Sequence, residues 1–174
     1  MKGRLEKKAK ASFSKKWLWP EHTMTYDNGK VIQAYLLTGL LTGDQKMLDM
    51  GKQMLDFYIG KTFKKGYFQA PGNRGFWTVH KYSLYDEQAI EAYSMIAALV
   101  TTYNIFKDRK YLTLAKKTYL WFWGKNRLNQ SLVDKKSGAV YDGLGRDRVN
   151  PNQGAEGYLA LNLAYFVLTE KMHL

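Results

Sequence analysis

Gln33-Ala34-Tyr35, Glu91-Ala92-Tyr93 and Glu156-Gly157-Tyr158 are three versions of one short pattern, each heading an apolar helical run. The copies stand 58 and 65 residues apart, and a polar, loop-like segment precedes each. A repeat of that length indicates stacked helical hairpins and sets similar polar groups at the same end of parallel helices.

Two kinds of helix alternate along the chain. Residues 31–42, 89–106 and 155–168 are nearly free of charge and apolar on most faces, as buried helices are. Residues 44–61 and 108–127 are amphipathic: Leu48, Leu55 and Ile59 share one face of the first, and Leu112, Ala115, Tyr119 and Phe122 one face of the second. Asp44 and Asp108 open these two helices as caps. The expected fold is all-α, with antiparallel hairpins whose apolar helices form the inside of an α/α toroid. Strand signals are confined to short extended pieces near Gly66-Tyr67-Phe68 and Ala139-Val140-Tyr141.

The 174 residues suffice for one domain. The division expected is a basic leader or linker remnant over 1–16, then an α/α-hairpin domain over 17–174. Seven Lys or Arg against one Glu give the leader half of the net charge of +12. The leader offers a basic surface, but no nucleic-acid-binding module is recognisable in the body, so nucleic acid is not an expected partner. The leader has no apolar stretch, so no signal peptide is expected, and 89–106 reads as a buried helix rather than a membrane span. With no cysteine, thiolate chemistry and disulfides are excluded, and a cytoplasmic location is expected. His22, His80 and His173 are isolated, so no metal and no cofactor are expected.

The two long connections, 62–85 and 128–152, precede apolar helices and should reach one rim. Asp27, Asp86, Glu91 and Glu156 fall at that rim, with Glu21 and Asp142 on adjoining loops. Opposed carboxylates at a rim suit glycoside chemistry, one donating a proton and the other activating water or attacking. Asp27, Asp86, Glu91, Asp142 and Glu156 are therefore the catalytic candidates. Trp17, Trp19, Tyr26 and Trp77 are candidates for stacking on sugar rings. Glu21, Asn28, Asn73, Gln88, Asn152 and Gln153 are candidates for contacts to hydroxyls. The plainer reading is that Asp27 or Asn28, Asp86 and Asn152 cap helices, and that core packing accounts for the aromatic residues.

Trp17-Leu18-Trp19-Pro20-Glu21, Thr25-Tyr26-Asp27-Asn28, Asn73-Arg74-Gly75-Phe76-Trp77, Tyr85-Asp86-Glu87-Gln88 with Glu91-Ala92, Gly124-Lys125-Asn126, Asp142-Gly143-Leu144 and Asn152-Gln153-Gly154-Ala155-Glu156 follow in order. Together they resemble the six-hairpin glycosidase-like superfamily, and within it the α/α-toroid region attached to, or encoded beside, mannosyltransferase-type glycosyltransferases. Ala89 stands where that family has Pro, and Gly157-Tyr158 where it has Ser-Thr. The resemblance implies an oligosaccharide or polysaccharide substrate. It also implies an incomplete ring, about the carboxy-terminal half. Such a half should pair as a homodimer, or dock on an upstream glycosyltransferase or half-toroid chain. The alternatives are a non-catalytic helical scaffold and an accessory domain of a glycosyltransferase.

Overall fold

The pattern of apolar and amphipathic runs becomes six helices in a computed structural model that describes residues 2–172. They are α1 (Lys2–Ser12), α2 (Asn28–Thr42), α3 (Gln45–Thr62), α4 (Ala89–Phe106), α5 (Arg109–Tyr119) and α6 (Ala155–Met172). About half of the chain is helical among the described residues. Four two-residue strands accompany them: β1 (Thr23–Met24), β2 (Trp77–Thr78), β3 (Glu87–Gln88) and β4 (Gly143–Leu144). The architecture is thus mostly helical rather than purely so. Residues 66–68 form no strand, whereas Val140 makes a single bridge with Val133.

The hairpins form as the periodicity predicts. Asp44 accepts hydrogen bonds from the Lys46 and Met47 amides at the start of α3, and Asp108 accepts one from Lys110 at the start of α5. Each satisfies donors that a helix start leaves open. Helix α3 packs on α2 and α5 on α4, while α4 lies between α2 and α6. Helix α5 stops at Tyr119, short of the expected 127. Trp121 and Phe122 are consecutive and both fully buried. Both rings lie beyond the helix end, where the chain turns out of the helical path. The buried Asn126 amide holds the resulting turn by donating to the Trp121 and Gln130 carbonyls, each at 2.8 Å.

Helices α2 and α4 run parallel and close. Contacts climb both helices together, from Asn28 with Glu91 through Gly29 with Ser94 to Gln33 with Thr101. A methyl group on Gly29 would stand 2.0 Å from the Ser94 carbonyl oxygen, so only glycine permits this approach. Helix α2 begins at Asn28, which puts Gln33 in its second turn, one turn deeper than Glu91 and Glu156 in theirs. Helix α4 is long and apolar enough in composition to cross a membrane, yet most of its residues are buried against neighbouring helices.

The basic leader is helical. Helix α1 buries Ala9, packs Leu5 against the core, accepts a hydrogen bond from the Tyr35 hydroxyl at the Leu5 carbonyl, and pairs Lys8 with Glu21.

Candidate functional site

Two small ribbons stitch the rim. Strand β1, just before α2, pairs antiparallel with β2, and β3, which runs into α4, pairs antiparallel with β4, which precedes α6. Gly143 allows the second pairing, because a Cβ there would lie 2.1 Å from the Glu87 carbonyl oxygen. Through these ribbons the segments ahead of α2, α4 and α6 converge, and the two long connections meet.

The convergence encloses a cavity of about 360 Å³ lined by Asn73, Asp86, Gln88, Asp142, Asn150 and Glu156, among others. Five residues named from sequence thus come together: Asn73, Asp86, Gln88, Asp142 and Glu156. Asp86 Oδ2 accepts from Arg74 Nε at 2.9 Å, and no hydrogen bond reaches its Oδ1 among the described residues. Glu156 Oε2 accepts from the Tyr26 hydroxyl, and its Oε1 is likewise without a partner. Burial, reinforced by the hydrogen bond to Glu156, raises the Tyr26 phenol well above its ordinary value, so it serves as a donor. Asp142 is tied at both oxygens, by Asn152 Nδ2 and by the Gly154 amide at 2.7 Å, and fastens the start of α6.

Asp27 adjoins this group. Its Oδ1 is buried without a hydrogen-bond partner, and desolvation raises its pKa, opposed by the Ser94 hydroxyl and Lys30. The capping explanation does not hold for these residues. The Asp27 and Gln88 side chains make no capping hydrogen bond, Asp86 is held by Arg74, and Asn152 reaches Asp142 instead.

Other expected site residues lie elsewhere. Glu91 is 2% exposed and enclosed between α2, α3 and α4, where it accepts from Asn28 Nδ2 at 3.0 Å and from the Tyr58 hydroxyl at 3.1 Å. Burial pushes its carboxyl up to about 7 despite those donors. No substrate reaches it, and Asn28, 1% exposed, is spent on holding it. Trp17, Trp19 and Trp77 are 1–3% exposed. Their rings pack on Phe57, Tyr58 and Tyr82 respectively, so no face is free for a sugar. Glu21 lines a shallow cleft between α1 and α2 beside Lys8, away from the rim cavity. Gln153 lines a separate hollow near Tyr158. Of the aromatic candidates only Tyr26 is open, at 46%. His22 and His80 are exposed and apart from the rim cavity, and His173 lies outside the described residues.

A second cavity, about 440 Å³, adjoins the first through Asp86 and Asn150 and is lined by Arg74, Tyr85, Arg146, Asp147 and Arg148. Beneath it Arg127 donates from Nε to the buried Glu87 at 3.2 Å and clasps the Gly145 and Arg146 carbonyls. Glu87 also accepts from the Ala70 amide and Trp121 Nε1. Burial pushes its carboxyl up to about 7, with Arg127 pulling the other way. None of these arginines stood among the site residues read from sequence. Arg74 sits inside a quoted motif, and the two arginines of the Gly145-Arg146-Asp147-Arg148 run, in a chain whose cations are mostly lysine, were the available signal. Compared with known proteins, the chain matches no family model and no curated protein.

Proposed function

We propose that the rim is a carbohydrate site and that the protein is a carbohydrate-active α/α-hairpin domain, with Asp86 and Glu156 as its working carboxylates. One observation carries the reading: both line one cavity, each accepts a hydrogen bond through one oxygen, from Arg74 and Tyr26 respectively, and each keeps the other oxygen for a ligand. Orientation by a hydrogen-bonded partner is what a proton-transferring group requires. Asn73, Gln88 and Asn150 supply donors and acceptors for hydroxyl groups. Tyr26 both orients Glu156 and offers an open ring.

The ordered motifs and the three inner helices support kinship with the six-hairpin glycosidase-like proteins and a half-toroid arrangement. Hydrolysis and binding in support of a glycosyltransferase both use such a rim. The test is a thermal-shift screen with mannose-, glucose- and galacturonate-type oligosaccharides, in which a bound ligand raises the melting temperature. Asp86→Asn and Glu156→Gln should abolish the shift while melting cooperatively. Persistence of an unchanged shift in both variants would remove these residues from the site.

A scaffold reading has its own observation. Tyr158, Leu159, Leu163, Tyr165 and Phe166 on α6 are 42–59% exposed, an apolar surface of the kind that protein partners cover. A second copy of the chain or a half-toroid partner fits that face.

A further inference from the structure

We infer that the cavity beside the rim is an anion-binding subsite, so that the saccharide bound at the rim is an acidic one, carrying a carboxylate, phosphate or sulfate group. This inference rests on the rim being a saccharide site.

The choice of cation is the first argument. The chain has 21 lysines and six arginines, yet four of the arginines, Arg74, Arg127, Arg146 and Arg148, gather around this cavity, and among the described residues no lysine lines it. Solubility alone would be served by lysine. A planar guanidinium, in contrast, grips a carboxylate or phosphate with two parallel hydrogen bonds.

Second, the guanidinium groups are available. Arg74 uses only Nε on Asp86, leaving its terminal nitrogens without a hydrogen-bond partner among the described residues. Arg146 and Arg148 are exposed and have no ion pair among the described residues. Asp147 and Asp86 are the carboxylates on the same walls, and Asp86 is already engaged by Arg74. Three guanidinium groups against two carboxylates leave these walls with a net positive charge, which favours an arriving anion.

Third, the arginines stand on a fixed platform. Leu144 bridges Val149, and the Gly145 amide donates to the Arg148 carbonyl at 2.9 Å, closing a tight turn that presents Arg146 and Arg148. Arg127, whose side chain is 13% exposed, pins that turn from below through two carbonyls and is itself anchored on fully buried Glu87. On the opposite wall the Asn73 amide bonds the Asp86 carbonyl and the Arg74 amide the Tyr85 carbonyl, fixing the backbone at Arg74. The Tyr85 ring lies against the guanidinium groups of Arg127 and Arg146. A site held this way loses little freedom on binding. Because Asp86 borders both cavities, a sugar placed at Asp86 and Glu156 can reach the arginines with an acidic substituent.

Calorimetric titration of the whole protein tests this with four probes: a neutral oligosaccharide, an oligogalacturonate, a phosphorylated and a sulfated oligosaccharide. The double variant Arg146→Ala/Arg148→Ala removes exposed side chains from the turn, and Lys7→Gln/Lys8→Gln removes the same charge from the leader as a control. One acidic probe should bind at least 10-fold more tightly than the neutral one. The arginine variant should weaken it about 10- to 100-fold, the span of one charge-assisted hydrogen bond, while the leader control leaves it unchanged. Arg146→Lys/Arg148→Lys should restore only part, which a purely electrostatic attraction would restore fully. The probe that binds best identifies the acidic group. Equal affinity for neutral and acidic probes, unaffected by the arginine variant, would overturn the inference and keep the carbohydrate site. Equal weakening by the leader control would reduce the effect to net charge and overturn it too. Binding of no saccharide would overturn both.

Discussion

Glu91→Gln should change how stability depends on pH. Glu91 is fully enclosed, and its carboxyl rises from an ordinary 4.5 to about 7, chiefly by desolvation. The folded protein therefore holds this proton more tightly than the unfolded chain does. Between pH 4.5 and 7 the native state carries the extra proton, so unfolding stability falls as pH rises through that window. At about 1.4 kcal/mol for each tenfold change in proton affinity, the loss is about 3 kcal/mol for Glu91. Glu87, raised to about 7 by burial, adds a loss of the same sign, as does the raised Asp27. Asp108 and Asp134, whose pKa values are lowered, stay ionised above pH 5 and do not enter. The amide introduced by Glu91→Gln does not titrate, so the variant should lose about 3 kcal/mol less than the wild type between pH 5 and pH 8. In a domain of this size that is about 6–12 °C of melting temperature. The variant also sacrifices an acceptor to Asn28, but that cost is the same at both pH values and cancels in the comparison. Thermal melts of both proteins at pH 5 and pH 8 measure the difference. Parallel pH dependence in the two would show that Glu91 is not held in the environment described, and the reasoning would fail.

Three further outcomes are expected. Gly29→Ala forces a methyl group against the Ser94 carbonyl and should cost at least about 1–3 kcal/mol by overpacking; chemical denaturation measures it, and a neutral result would mean that α2 and α4 sit farther apart. Arg127→Ala strands Glu87 without its cation, and breaking a buried pair costs about 3–5 kcal/mol; acidic-probe affinity should fall as well, since the Gly145–Arg148 turn loses its anchor. By light scattering the protein should weigh twice 20.2 kDa, and Leu159→Lys/Phe166→Lys should return it to one; a wild-type monomer at micromolar concentration would leave the α6 face without a partner of its own kind.

The hairpins were legible because their cues are local. Apolar period, Asp caps and turn residues act within a few positions, and α4 begins and ends where its nearly charge-free run does. Helix α5 ended short of its periodicity at a turn that the buried Asn126 holds through the Trp121 and Gln130 carbonyls, a tertiary contact that apolar period alone does not announce. The tryptophans carried a cue of their own: Trp17 and Trp19 are two apart, which in extended chain puts both rings on one side, and that side is the core.

Glu91 and Glu156 show where a repeat stops informing. They occupy matching places in two copies of one pattern, yet one is sealed and the other open. The difference lies in their helices' positions: α4 is flanked by α2 and α6, whereas α6 packs on α4 and only lightly on α5. A repeat states that two residues face the same end of parallel helices; it does not say which helix is central. At the central position a carboxylate must become a satisfied core group, and Asn28 and Tyr58 make it one. At the edge the same carboxylate keeps an oxygen free. The arginines were harder still to foresee, since Arg74, Arg127 and the 146–148 turn are far apart in sequence and meet only because β3 pairs with β4. The order in which the helices pack therefore decides which of two matching carboxylates is sealed and which keeps an open oxygen at the rim.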